Sequence, residues 1–284
     1  MSPVELGPLE ARVLAWGQQK AKKAGRSVVV ITSQEIVDRL VIAPHDAHAL
    51  LCRMNKLGKL PMLQRGVYLA PAMIPPGIVW RPSPYEALHA FMEHLQRAEQ
   101  YQITGLAAFA YHGFSTQVAQ ELWVYNTQLS GRRIIGANPF VFIEIAAQRL
   151  GYAIEIGHPD GPRVRMASKA RSVFDAIYDA VRFSTLPAAF RWLADQAHDG
   201  EFVEEILDCA LRCGNLLTQK RIGFVLEHQG IRSRKLLRVL HRVARSQSVQ
   251  QLIPAKSRGG PQDKRWGLII NGDLTRVLQR GESD

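Results

Sequence analysis

The spacing of apolar positions divides the first eighty residues into a definite series of elements. Leu9, Val13 and Trp16 fall on one face and predict a helix over about residues 9–24, with Lys20, Lys22 and Lys23 at the end where cations oppose the helix dipole. Gly25 supplies a stop. Val28, Val29, Val30 and Ile31 are β-branched and too few for a helix, so they predict a strand. Thr32 and Glu35 have the spacing of a capping box, opening a helix to about Leu40 that buries Ile36, Val37 and Leu40. After Val41, Ile42 and Ala43, Pro44 suits a first helical position. Ala47, Leu50, Leu51, Met54 and Leu57 then form a core-facing stripe that ends at Gly58. Two short apolar segments, 59–63 and 67–70, bracket Gln64, Arg65 and Gly66 and predict a hairpin. Helix, strand, helix, turn, helix and hairpin, in that order, make a winged helix-turn-helix.

Beyond it the pattern changes. Prolines at 75, 76, 82 and 84 suggest a stiff linker, which places a domain boundary near residue 80. Helices are predicted over 85–100 and through 104–111, and strands over 122–125, 141–145, 152–156 and 164–167. From residue 168 helices dominate, at about 168–182, 186–198, 201–213, 218–229 and 233–246, with Leu236, Leu237, Leu240 and Val243 as the buried stripe of the last. A Gly-rich loop over 254–261 and a closing strand over 266–271 follow. The expected class is α+β: a winged-helix domain over 1–80, then a larger mixed α/β domain over 81–284 with a small sheet and several helices.

Charge sharpens this reading. The net charge is +11, made up of +5 over residues 1–80, zero over 81–200 and +6 over 201–284. Two basic poles around a neutral middle point to a polyanionic partner. The opening residues lack a basic segment leading into an apolar run, no apolar stretch approaches the ~20 residues needed to cross a bilayer, and three cysteines make no disulfide framework. A cytoplasmic protein with no membrane partner is expected.

Candidate chemistry concentrates at the two poles. In winged helices the second helix of the turn unit enters the major groove and the hairpin tip follows the phosphate backbone. The exposed face of the helix from Pro44 carries His45, His48, Arg53, Asn55 and Lys56, with no acid assigned to it, and Arg65 occupies the hairpin tip. With Thr32 and Ser33 at the start of the preceding helix, these form the expected DNA-binding set. A winged helix used only for protein contacts is the alternative. His45 and His48 could also hold a metal, but no cysteine or carboxylate constellation completes such a site, so no metal and no cofactor are expected. At the other pole Arg234, Lys235, Arg238, His241, Arg242 and Arg245 cover one side of a helix without an acid among them. Because like charges at this spacing repel, a one-sign stripe suggests a second nucleic-acid or partner surface.

No catalytic residue is assigned. His112 and Ser115 are close in sequence, but no Gly-x-Ser-x-Gly elbow or Gly-rich phosphate loop occurs, and a turn capped by polar side chains accounts for them. Glu144 and Glu155 lie on predicted strands, neither in a Glu-x-Lys, and Asp160 falls in a Pro-Asp-Gly turn, so clustered metal-binding carboxylates are lacking. Cys209 and Cys213 read as buried small side chains. The expectation is a non-enzymatic protein.

Five co-linear segments resemble the AbiEi family of antitoxins: KLPMLQRGVYLA (59–70), TGLAAFAYHGFSTQ (104–117), VRMASKARSVFDAIY (164–178), KRIGFVLEHQG (220–230) and RWGLIIN (265–271). The resemblance implies the antitoxin half of a toxin–antitoxin pair. Its winged helix would bind inverted repeats in its own promoter and repress transcription. Its C-terminal domain would counteract a nucleotidyltransferase toxin, in many members without a stable complex. Family base contacts would fall on the helix starting at Pro44 and on the wing at Arg65, with a monomer or weak dimer pairing on the DNA. Lys20, Lys22 and Lys23 either touch DNA or simply end their helix. A stand-alone transcriptional regulator, or an RNA-binding factor using the helix around Arg238, remains the alternative.

Overall fold

A computed structural model describes residues 7–74, 79–157, 161–254 and 259–272. Residues 75–78 of the proline-rich linker, the turn at Asp160 and residues 255–258 of the Gly-rich loop lie outside them. Among the described residues the fold is mixed α and β, with eleven α-helices, one short 3-10 turn and three sheets.

The chain begins with α1 (Pro8–Lys23), β1 (Val28–Thr32), α2 (Ser33–Leu40), α3 (Pro44–Lys56), β2 (Met62–Gln64) and β3 (Val67–Pro71). Local chemistry explains most of these boundaries. The Thr32 hydroxyl accepts the Glu35 N–H while the Glu35 carboxylate accepts the Thr32 N–H at 2.8 Å, which satisfies donors that α2 would otherwise leave open. Pro44 occupies the first turn of α3, where no N–H is needed. The strands form an antiparallel sheet in the order β1-β3-β2, with Val29 opposite Ala70 and Ile31 opposite Tyr68. Val13, Ile31, Ile36, Leu51, Met54 and Tyr68 are among the residues of its core. Gly17 lets α1 approach β3 closely, because a Cβ there would lie 2.7 Å from that of Ala70.

The turn between α2 and α3 carries strain. Val41 ends α2 at φ +54° and ψ +51°, and its side chain is 90% exposed. A β-branched residue in the left-handed region has no packing here to repay the steric cost. Val41→Gly is expected to stabilise the protein by about 0.5–1 kcal/mol, the strain relieved less the extra freedom glycine brings to the unfolded chain. Chemical denaturation checks this, and an unchanged or lower midpoint would contradict it.

Next come α4 (Pro84–His94), β4 (Tyr101–Thr104), α5 (Leu106–Tyr111), β5 (Leu122–Asn126), β6 (Gly131–Ile135), β7 (Asn138–Glu144), a 3-10 turn at Ala147–Arg149, β8 (Ala153–Ile156) and β9 (Val164–Ala167). The strands form a six-stranded sheet in the order β6-β7-β5-β4-β9-β8. β5 and β7 run parallel, with Val124 opposite Phe142, and β6 is antiparallel to β7. Two strands depart from the sequence expectation. Thr104 ends a buried strand rather than starting a helix, and Gly105, at φ +68°, turns the chain into the short α5. β6 shows little apolar character because four of its five residues are exposed, so its strand state comes from pairing with β7.

The remainder is α6 (Lys169–Tyr178), α7 (Ala180–Phe183), α8 (Ala188–Asp195), α9 (Gly200–Cys213), α10 (Leu216–His228), α11 (Arg234–Ala244), β10 (Gln250–Gln251), β11 (Gln262–Asp263) and β12 (Leu268–Ile269). The closing strand is thus far shorter than its apolar run suggests. Phe174, Phe190, Ile206, Val225, Val239 and Trp266 are among the core of this helical part. Two compact units emerge: one of Met1–Gln102, Gln120–Glu144 and Glu155–Arg165, the other of Ile103–Ala119, Ile145–Ile154 and Met166–Asp284. Their limits differ from the division expected at residue 80, because segments from the middle of the chain contribute to each.

Candidate nucleic-acid interface

The described N-terminal elements bring Ser33, Asn55 and Arg65 into one local frame. The Ser33 N–H donates to the Gly66 carbonyl at 2.9 Å and its hydroxyl to the same oxygen at 3.2 Å, tying the start of α2 to the β2–β3 turn. Gly66 is at φ +77°, where a side chain would be strained. Asn55 Oδ1 accepts the Met62 N–H at 3.0 Å, linking the end of α3 to the start of the hairpin. Arg65 is exposed at the tip, and among the described residues nothing binds its guanidinium.

The side chains expected to face DNA differ in how free they are. Thr32 and Ser33 are half-buried and their hydroxyls serve the cap and the hairpin turn. Arg53 is not a free cation, since its Nε donates to Glu10, a nearly fully buried carboxylate on α1. The face is also not free of acid: exposed Asp46 lies 3.0 Å from His45. Asp46 suits the first turn of α3 through the helix dipole, and it reduces the positive potential beside His45. His48 is exposed, with Nε2 3.5 Å from the Cys52 sulfur. Lys56 is exposed with no partner among the described residues. Glu10 had one local signal in the sequence, three residues after Gly7 at a helix start, but its pairing with Arg53 spans 43 positions. On α1, Lys20 is used internally by the Val30 carbonyl at 2.9 Å and Glu35 at 2.5 Å, whereas Lys22 and Lys23 are exposed.

The basic helix α11 is likewise partly neutralised. Lys235 lies 3.0 Å from Glu204 and 2.5 Å from Asp208, both on α9, and Arg242 donates to the Leu211 carbonyl. Arg234, Arg238, His241 and Arg245 are exposed without a partner among the described residues. The buried stripe is Leu236, Val239 and Val243; Leu237, expected inside, is half exposed. The helical angle explains this, because position 237 points between the core face and the basic face.

Elsewhere, His112 Nε2 bonds the Ala167 carbonyl at 2.8 Å, and burial lowers its pKa. Ser115 Oγ accepts the Gln117 N–H at 3.2 Å, so each of this pair serves a separate local bond. Cys209 and Cys213 are buried, and burial pushes both thiols up. Among the described residues no group of three or more His, Cys, Asp or Glu is placed to hold a metal, and no helix is long and apolar enough to cross a membrane.

No protein-family model matches the chain, and no curated protein matches it. Among solved structures it is similar to the RV2827C protein from Mycobacterium tuberculosis, with a TM-score of 0.61 and 15% identity over 93% of this chain and 92% of that one. At that identity the likeness is one of fold.

Proposed function

We propose that residues 8–71 act as a winged helix-turn-helix that binds double-stranded DNA, with α3 toward the major groove and the β2–β3 turn along the backbone. The observation that carries this reading is a pair of exposed cations without a partner among the described residues, Lys56 at the end of α3 and Arg65 at the hairpin tip, held in one frame by the Asn55 and Ser33 bonds. Lys56 and Arg65 are the leading phosphate contacts and His48 the leading base contact, with Arg53 orienting α3 through Glu10. On this reading, and from the segments that resemble the AbiEi family, the protein is a non-enzymatic cytoplasmic antitoxin. It represses its own operon and counteracts a nucleotidyltransferase toxin through the C-terminal part.

An electrophoretic shift with its own upstream repeat tests the DNA reading. Binding is expected to prefer the repeat over random duplex and to fall with salt at a log–log slope of about −4 to −5, for about 4–6 neutralised phosphates. Arg65→Ala is expected to weaken binding to all sequences alike, as loss of a phosphate contact would. Equal affinity for repeat and random DNA would sink the repressor reading. A downstream frame whose product is toxic alone and tolerated with this protein would support the antitoxin role.

A second reading draws on Arg234, Arg238, His241 and Arg245, which face solvent on α11: a stand-alone regulator or RNA-binding factor with its main contact there. Under it, removing residues 1–80 would leave most nucleic-acid affinity in place.

A further inference from the structure

Helix α10 buries two consecutive cations, Lys220 and Arg221, with no carboxylate partner among the described residues. Lys220 Nζ donates to the Ser248 carbonyl and hydroxyl, and Arg221, only 4% exposed, donates from Nε to the Leu252 carbonyl at 2.9 Å and from Nη2 toward the Gln251 carbonyl at 3.4 Å. The contrast with Arg171 is direct, because that buried guanidinium has Asp175 at 2.8 Å. Among the described residues no carboxylate pairs with Arg221, and burial pulls its pKa down to about 10. A charge taken out of water normally has a counter-ion, since carbonyl dipoles offset only part of the lost hydration.

Arg221 also lines an open cavity of about 410 Å³, together with Tyr178, Asp179, Arg182, Leu217 and Pro254. Arg182, on α7, is exposed and unpartnered among the described residues. The acid in the wall, Asp179, is already met by Arg149 at 3.7 Å. The cavity is therefore lined by two arginines with no acid partner among the described residues, Arg221 held by the backbone carbonyls of residues 251–252 and Arg182 exposed, beside apolar surface from Leu217 and Pro254. Its volume falls within the range of about 300–1,000 Å³ typical of small-molecule sites. Planar guanidinium groups suit the tetrahedral oxygens of phosphate, which accept paired charge-assisted hydrogen bonds.

We propose that this cavity binds a small phosphate-bearing ligand, with Arg221 as the buried anchor and Arg182 as the arm that closes on it. The site goes beyond the DNA reading and does not depend on it. The two arginines also give the buried charge a purpose that fastening residues 251–252 alone would not require, because a neutral donor could hold those carbonyls.

Isothermal titration of the full-length protein at physiological ionic strength, with inorganic phosphate, pyrophosphate, AMP and UMP as probes, tests this. At least one probe is expected to bind saturably with one site per chain, and Arg182→Gln to weaken it by about ten- to a hundredfold, as loss of one charge-assisted contact predicts. Arg221→Gln is expected to weaken it at least as much. Since Arg221 also supports residues 251–252, the surface substitution at Arg182, where folding is not at stake, decides the matter if the Arg221 variant loses its circular-dichroism signature. Equal affinity for phosphate and the mononucleotides would limit recognition to the phosphoryl group, while tighter nucleotide binding would extend it to the nucleoside. Absence of saturable binding for all four probes, or binding unchanged by Arg182→Gln, would overturn the proposal.

Discussion

Replacing Asp175 by asparagine is expected to cost the fold about 3–5 kcal/mol, the penalty for stranding a buried charge. Arg171 and Asp175 are one helical turn apart on α6, and both side chains are fully buried. Arg171 Nε donates to Asp175 at 2.8 Å, Nη1 donates to the Arg149 carbonyl at 2.7 Å, and the Thr104 hydroxyl donates to the other carboxylate oxygen at 2.9 Å. Burial alone disfavours the charge on Arg171, but the adjacent carboxylate outweighs it and holds the guanidinium protonated. Asparagine keeps the shape and removes the compensating charge. Urea denaturation measures the loss, and a change under about 1 kcal/mol would show that the pair contributes little. Substituting both partners together, Arg171→Met with Asp175→Leu, is expected to cost much less than Asp175→Asn alone, because no unpaired charge remains.

Gly223→Ala is the second large effect, expected to destabilise by about 3 kcal/mol, at the upper end of ordinary overpacking. Helix propensity argues the opposite, since alanine in a helix interior usually gains about 1 kcal/mol over glycine. The tertiary contact reverses the sign. A Cβ on Gly223 would lie 2.1 and 2.2 Å from two ring carbons of Trp266. That ring cannot move aside cheaply: it is buried, its Nε1 donates to Glu227 at 2.7 Å, and its own N–H donates to Asp263 at 2.8 Å. Glu227 is further held by Arg265 at 2.9 Å. Thermal denaturation checks the loss, and Trp266→Leu in the Gly223→Ala background should recover part of it, since the smaller side chain vacates the overlap. A neutral Gly223→Ala would mean that α10 shifts freely, contrary to its packing.

The two effects mark where the sequence stops being informative. Nothing in Arg171, Asp175 and Thr104 as letters distinguishes a buried network from a solvated i,i+4 pair. Gly223 reads as a weak point in a helix until the tryptophan packed on it, 43 positions away, is located. The same holds at the candidate interface. Helix α3 and the hairpin tip can be placed from pattern, but Arg53 reads as a free cation because its partner, Glu10, belongs to a different helix. Lys235 reads as part of a one-sign face, but α9 neutralises it through Glu204 and Asp208.

What the sequence determined by itself is local. The Thr32–Glu35 cap, Pro44 at the start of α3, the stripe of Ala47, Leu50, Leu51 and Met54, and the turn at Gly66 all follow from interactions within a few residues, where spacing is sufficient to specify geometry. Tertiary structure alone decided the strand state of β6, the exposure of Leu237, the pairing of Arg53 and the backbone carbonyls that Arg221 meets. Each depends on which distant segment arrives beside a side chain. A charge or an edge strand takes its character from that neighbour, and the neighbour is set by packing of the whole unit rather than by local spacing.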